Sequence, residues 1–561
     1  MKTLLFTVAI LITALIISAS SYGQTMQWAS NYSSLAPYNT LENTVIDNSG
    51  NSYVTGEGRV NSSSQSTTEY LAKFNNSGSF QWQRTISNPY PNPNNKGSFS
   101  RASVLDNSGN VFIAGYVDSA FGFYKGYIMK YSPAGDSLWG TYSGINDTLR
   151  SVKWMSMKMD NSGNIYVAGY RYYLTSDFVR TFLIAKYNSA GVLQWIKSQT
   201  PNQLYDIYDF PFNMSLDNSN NIFVSATITK TPSSTSDIYT FKLNGSGSFQ
   251  WSYTYNGPAS STDVFSSMAI DGAGDIYIEG LGANISPQNN EITCYKLNGS
   301  TGLQQWSYRT RGNAANNGDT PYKLSAGISG DVYLTCALED NTETLNGTLI
   351  KLNSLTGTES WRRTLAGSGS SPDRYCDVKI IAPGIVYVVG AINYTSASST
   401  IVTKKYNTAG DSLSAAVYSL PGIRNEFITG GPGSSLLISG DFFVNSNSAN
   451  VFLINYSVTT GISPIVSSTP DKFSLSQNFP NPFNPVTEIK YDLPFDSKVE
   501  IIVFDISGKE VAEIVNTIQT AGNHSVSFNA ASLSSGIYFY KIFTAGGNQN
   551  FEKTMKMMLI K

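Results

Sequence analysis

Between Val45 and Tyr456 the chain repeats one pattern eight times: an Asp- and Gly-containing turn, a short aromatic strand, a variable gap, a strand carrying lysine and, usually, a tryptophan. The clearest copies are DNSGNSYVTG from Asp47, DNSGNVFIAG from Asp106, DNSGNIYVAG from Asp160, DNSNNIFVSA from Asp217 and DGAGDIYIEG from Asp271. Weaker copies begin at Gly327 and Ile381, and a last one lies around Leu436. Their central rings, Tyr53, Phe112, Tyr166, Phe223, Tyr277, Tyr333 and Tyr387, recur every 54 to 59 residues. A fixed period of this size makes each copy a unit that buries its apolar face against its neighbours, so the copies fold as one array.

Within a copy the apolar residues alternate, the spacing that sends side chains to opposite faces of a strand. The first copy reads as four strands, near 41–46, 52–57, 70–74 and 80–85. Asp and Asn accept hydrogen bonds from nearby backbone and Gly tolerates positive φ, so DNSGN is a hairpin turn, and NNSGS from Asn75 is a second one. Four antiparallel strands per period, with no helical periodicity between them, predict an all-β chain built as a β-propeller. Trp82, Trp139, Trp195, Trp251, Trp306 and Trp361 fall at one place per copy, as a wedge between sheets requires. Trp28 precedes the first turn in the same context, which predicts that the N-terminal strand completes the last blade. Eight blades are expected, or seven if the degenerate eighth copy forms none.

DNSGNIYVAGY followed by FLIAKYNSAGVLQW resembles the SBBP-type bacterial β-propeller repeat, over about residues 26–462. The resemblance implies a propeller and no particular activity, so activity has to be read from a site. A net charge of −2 with 14% charged residues disfavours a broad phosphate-binding surface, and no nucleic-acid partner is expected. Lys2 and the apolar run from Leu4 to Ile17 read as a secretory signal over residues 1–23, cleaved before Gln24. That run is too short for a confident transmembrane helix and no later stretch qualifies, so the mature chain is expected to carry no transmembrane segment. Cys294, Cys336 and Cys376 are expected as buried free thiols.

A linker over residues 463–472 leads to a segment of different composition at 473–561. Pro480, Pro482 and Pro485 remove three backbone donors and favour an extended, turn-rich entry. Alternating runs around Ile489, Tyr491 and Leu493 and around Val499, Ile501 and Val503 begin about seven short strands, the pattern of a small Ig-like β-sandwich. NFPNPFNPVTEIKYDLP, VEIIVFDISGKEV, SGIYFYKI and the closing KMMLIK are together similar to the type A C-terminal sorting domain of the type IX secretion system of Bacteroidetes-type bacteria. The resemblance implies export through the periplasm to the outer-membrane surface or the medium. The type IX machinery is then a partner and residues 24–462 are its cargo.

The propeller segment has no histidine; His524, the one histidine of the chain, is expected as a solvent-facing strand residue of the tail. Ser–His–Asp and Cys–His catalysis and histidine-ligated zinc are therefore closed to the cargo. No catalytic residue and no cofactor is assigned. Lys73, Lys130, Lys186, Lys242, Lys296, Lys351 and Lys405 repeat at one third-strand position, and a ring of identical residues reads as scaffold, pairing with turn acids or solvated. The one turn that could offer calcium paired carboxylates holds Asp271 and Asp275, since only there do two acids stand together. Eight residues before the turns stand Asn39, Ser98, Val152, Asp209, Asp263, Asp319, Asp373 and Asn425, so four successive copies place Asp at one end of the channel. These are either turn caps or a cation or polar-ligand site. Aromatic insertions at 88–99, 170–180 and 203–212, with Tyr90, Tyr172, Tyr205 and Tyr208, are the other ligand candidates, because binding concentrates on loops of a rigid scaffold. The functional expectation is a non-enzymatic binding or adhesion protein for glycan, protein or another extracellular polymer. A carbohydrate-active hydrolase or lyase, with acids such as Asp209 and Asp263 in general acid–base roles, is the alternative, and a structural envelope protein is the third.

Overall fold

The computed structural model describes residues 24–34, 36–64, 67–86, 88–89, 97–119, 123–143, 150–173, 180–201, 205–230, 235–259, 261–283, 290–313, 318–327, 330–340, 345–365, 372–382, 384–393, 399–420, 422–430, 435–458, 473–478, 480–494, 497–519, 522–546 and 549–561. The expected signal segment, the linker 463–472 and Tyr90 lie outside them. The chain divides into two compact units, Met1–Gly461 and Ile462–Lys561. All regular structure among the described residues is β, and none of it is a helix long and apolar enough to cross a membrane.

In the first unit, six four-stranded sheets follow one another in sequence, each a meander in chain order. The first runs Ser98–Leu105, Val111–Asp118, Tyr124–Tyr131, Ser137–Tyr142. A larger sheet joins Ile423–Gly430, Ser435–Asn445 and Ser448–Val458 to Tyr38–Ile46, Ser52–Arg59, Thr67–Phe74 and Phe80–Ile86. Its halves meet through one parallel pair, Tyr38 with Ala449, and the N-terminal strand Gln24–Tyr32 runs antiparallel on Ser448–Val458. The first strands of the successive sheets touch in the order Tyr38–Ile46, Ser98–Leu105, Arg150–Met159, Tyr205–Leu216, Val264–Ile270, Thr320–Ala326, Arg374–Ala382, Ile423–Gly430 and then Tyr38–Ile46 again. A closed ring of innermost strands with sheets radiating from it is a β-propeller.

The repeat residues make the joints between sheets. Tyr53, Phe112, Tyr166, Phe223, Tyr277, Tyr333 and Tyr387 are buried, each ring contributing about 1.5–3 kcal/mol by leaving water. Each tryptophan packs edge or tilted on the ring of its own sheet, as Trp82 does on Tyr53 at 6.2 Å and Trp306 on Tyr277 at 5.8 Å. In four copies the indole N–H then reaches the next sheet: Trp82 donates to the Pro133 carbonyl, Trp251 to Gly299, Trp306 to Ser354 and Trp361 to Thr408, whereas the buried Trp139 N–H makes no hydrogen bond among the described residues. Trp28 donates to Asn76 at 2.8 Å in the same manner, which makes Gln24–Tyr32 the outermost strand beside Ser448–Val458. The glycine of each receiving turn is obligatory. Gly302 has φ 73° and a Cβ there would stand 2.6 Å from Trp251.

The second unit has seven strands among its described residues. Ser474–Leu475, Val486–Leu493 and Gly522–Asn529 form one sheet; Glu510–Gln519, Ser497–Phe504, Gly536–Gly546 and Gln549–Leu559 form the other. Ile489, Tyr491, Val499, Ile501, Tyr540 and Met557 share one core. Within the proline-rich entry, buried Asn478 donates through its backbone to the Tyr540 hydroxyl and through its side chain to Thr487, while Phe483 bridges Leu559. His524 is half-buried and stacks on Tyr491 at 5.5 Å, so its strand position is as expected and its full exposure is not.

Candidate functional site

A four-stranded meander places its first and third connections at one end and its second connection at the other, where the chain also leaves for the next sheet. All innermost strands therefore run the same way, and the propeller has two unlike ends. One carries the DNSGN and NNSGS-type turns; the other carries the connections in which the insertions fall.

At the turn end the chemistry is uniform. The Asp47 carboxylate accepts from the Ser49 and Asn51 amides at 2.9 Å each and from the Asn51 side chain at 2.8 Å, and Asp106, Asp160 and Asp217 repeat the arrangement. Hydrogen bonds from Asn110 and the Lys130 ammonium hold the Asp106 carboxyl below its ordinary range against the opposing cost of burial. Every lysine of the stripe lies over its own sheet's central ring, from 4.7 Å at Lys130 to 5.8 Å at Lys405. Lys130, Lys186, Lys296 and Lys351 also pair with turn acids, and Lys73 and Lys242 donate to carbonyls of the neighbouring sheet. The two acids suggested for calcium, Asp271 and Asp275, hold the Lys296 ammonium at 3.8 and 2.9 Å, and both also accept from backbone amides. A cation is thus already supplied there by the chain.

At the loop end, Asp263 is fully buried and accepts from the Gly257 amide at 2.6 Å and the Ala283 amide at 3.0 Å. Burial raises its carboxyl pKa, with the two amides acting in opposition. Asp319 accepts from Gly312 and Glu339, both at 2.8 Å, and Asp373 from Asn393 at 2.7 Å. In each case the carboxylate ties the start of a first strand to the end of the second strand. These three carboxylates are buried and accept from backbone amides, the turn-cap arrangement of the two that the sequence leaves open. Asp209, Tyr205 and Tyr208 fall within the strand Tyr205–Leu216 and Tyr172 within Ile165–Tyr173; their side chains lie outside the described residues.

The same end gathers a patch that the repeat does not contain. Phe99 stacks on Tyr116 at 5.0 Å, and Tyr124 meets Tyr116 edge-on at 5.3 Å. Lys153 lies 4.7 Å from the Tyr116 ring, 4.4 Å from Tyr124 and 5.7 Å from Tyr170, and Arg180 stands over Tyr170 at 5.3 Å. Phe99, Tyr124 and Arg180 are half-exposed, so the patch opens to solvent on one side. Beside it Arg101 donates to the Tyr116 hydroxyl at 3.0 Å and pairs with Glu42 at 2.9 Å and Glu57 at 3.5 Å. Burial drives Glu42 up to about 7 and Glu69 up to about 8, Glu69 being closed against the Tyr127 hydroxyl at 2.5 Å. Part of this patch lies in insertions that the sequence marks, Phe99 in 88–99 and Tyr170 and Arg180 in 170–180, whereas Tyr116, Tyr124 and Lys153 lie outside them and carried no signal.

The buried Cys294 and Cys336 are free thiols whose pKa is pushed up by burial, while Cys376 is half-buried.

Residues 477–558 match the family model of the secretion system C-terminal sorting domain, so such a domain is present, and it indicates export by the type IX system to the cell surface or extracellular space. No curated protein matches the chain. Among solved structures, the chain is similar to quinohemoprotein alcohol dehydrogenase of Comamonas testosteroni, at 11% identity over 81% of this chain and 78% of that one, with a TM-score of 0.42. It is also similar to PorZ, a surface component of the type IX secretion system of Porphyromonas gingivalis, at 11% identity over 93% and 75%, TM-score 0.33. The β-propeller domain of the trilobed protease of Pyrococcus furiosus aligns at 10% identity over 67% and 96%, TM-score 0.33. At these values the likenesses carry no argument about site or activity.

Proposed function

We propose that the chain is a cargo of the type IX secretion system, a non-enzymatic binding protein whose loop end contacts glycan or another extracellular polymer. Residues 1–23 would be its signal peptide, 24–462 a propeller of SBBP-type repeats, 463–472 a linker and 473–561 an Ig-like sorting sandwich. Eight blades fit best: the larger sheet is two blades touching through the single Tyr38–Ala449 pair, with Gln24–Tyr32 as outermost strand of the eighth. The reading of binding is carried by the patch at Lys153, where half-exposed Phe99 and Tyr124 lie against the buried rings of Tyr116 and Tyr170, since partly exposed rings backed by fixed cations suit sugar faces and polar polymers. Asp263, Asp319 and Asp373, held by backbone amides, speak against the acid–base alternative.

The mature chain, screened against a polysaccharide panel for binding and for cleavage, is expected to bind without cutting. Phe99→Ala with Tyr124→Ala should weaken binding at least tenfold, about 1.4 kcal/mol or more. Release of reducing ends would overturn the non-enzymatic reading. For the address, removal of residues 473–561 is expected to leave the propeller inside the outer membrane, and unchanged surface display would sink it.

A further inference from the structure

The channel wall holds charges that neither end of the propeller explains. On each innermost strand one residue sits opposite the central ring of the second strand, shortly before the turn. Most copies place a small or neutral residue there: Val45, Val104, Ser215, Ala269 and Ser325. Two place lysine: Lys158 opposite Tyr166, and Lys379 opposite Tyr387. Both lysines are exposed although their strands form the inside of the ring. The sheets beginning at Tyr205, Val264 and Thr320 lie between them, yet Lys158 feels the charge of Lys379 and of Lys323 on a third innermost strand. Groups so far apart around the ring come within electrostatic reach only across its centre.

The compensation is thin. Among the described residues Lys158 and Lys379 make no ion pair. Asp377 lies in the field of Lys323 and Lys379, but its two oxygens are engaged by the Val378 amide at 2.8 Å and the Ile428 amide at 2.9 Å. Glu279, the other acid near Lys323, is fully buried, and burial pushes its carboxyl well above the ordinary range against the pull of Lys323, which disfavours its charged form. Three ammonium groups therefore face one engaged carboxylate. Enclosure disfavours the charged form of Lys158, and the two like charges add to that. The fold does not demand this arrangement, because serine and alanine occupy the same place in sister copies. An enclosed passage lined by one sign of charge concentrates counter-ions.

We propose that Lys158, Lys379 and Lys323 form an oxyanion site in the central channel, taking one carboxylate, sulfate or phosphate group. It is separate from the loop-end patch and does not rest on the reading of that patch. The group is either a free ion or one borne on an acidic sugar chain entering the channel.

Titration calorimetry on the mature chain at fixed ionic strength, with sodium sulfate and with trigalacturonate as probes, tests it. Sulfate is expected to bind the wild type. Lys158→Ser and Lys379→Ser, each copying a residue found at that position in other copies, should each weaken binding about tenfold, and the double variant should abolish it. Tighter binding of trigalacturonate than of sulfate would assign the site to a chain-borne carboxylate, and sulfate alone to a free oxyanion. A second readout needs no variant: the Lys158 ammonium pKa, followed by NMR, should rise on adding sulfate. No binding of either probe, binding that survives in the double variant, or an unmoved Lys158 would overturn the proposal.

Discussion

The turn end and the loop end of the propeller are made by the same strands and follow opposite rules. At the turn end Asp47, Asp106, Asp160, Asp217 and Asp271 each cap their own hairpin, every lysine of the stripe covers a ring, and indole N–H groups cross to the next sheet's turn wherever that bond forms. Little is left over for a ligand. At the loop end the shared device is the buried Asp cap of copies five to seven, and between copies two and three it gives way to half-exposed rings around Lys153. Repetition therefore marks where bonding is internally consumed, and departure from it marks where side chains are left facing solvent.

The largest test of that contrast is Trp251→Ala at the turn end. It empties a wedge between two sheets and removes one of the two donors on the Gly299 carbonyl, so urea denaturation should show a loss of about 3–5 kcal/mol, with polymer binding intact while the chain stays folded. Loss of binding without loss of stability would place a ligand at the turn end. Next in size is Asp263→Ala, which leaves two buried amides without acceptors and should cost about 2–3 kcal/mol; Asp263→Asn, still able to accept one of those bonds, should cost less. If instead stability holds and ligand binding falls, Asp263 is a ligand and not a cap.

The smallest effect is in the pH profile. The folded chain holds a proton on Glu69, raised to about 8 by burial, that the unfolded chain releases near the ordinary value of 4.5. Stability from this group is complete below about pH 4.5, falls as pH rises toward about 8 and levels off beyond. Glu42, raised to about 7 under the opposing pull of Arg101, adds to the same window. Asp106 and Asp160, whose carboxyls are lowered, act in the opposite sense and lose their contribution only as pH drops below the ordinary carboxylate range. Glu69→Gln should flatten the fall in Tm between about pH 5 and 8 while leaving the acid limb unchanged; an unaltered profile would show that the proton resides elsewhere.

Strand count, turn position and the role of Trp28 were all legible, because period-2 alternation and Asp-Gly turn chemistry are local. The register that sets Lys73 opposite Tyr53 was also implicit, since both recur at fixed offsets. What escaped was non-local. Whether Asp263 is free depends on the Ala283 amide arriving beside it, and no spacing rule carries that. The bulges of the innermost strands, such as those between Leu41 and Asn43 and between Ser100 and Ala102, turn Glu42 and Arg101 to face each other across two sheets, and nothing in a single copy announces them. Lys158 and Lys379 were visible only as residues, because their placement on one channel wall needs the ring to close.

That closure rests on a clasp whose two halves come from distant parts of the chain, Thr25 lying opposite Ser457 and Tyr32 opposite Val451. Every other strand among the described residues has a partner within a few dozen residues, whereas this one waits for the whole array. Loop-closure entropy grows only slowly with length, by about 0.6 kcal/mol per doubling, so the clasp is cheap to keep once made. It is slow to find, because distant pairing delays folding. A chain that must cross an envelope thus carries a built-in timer: seven sheets can form early, and the circle locks only when the last repeat is free to receive the first strand.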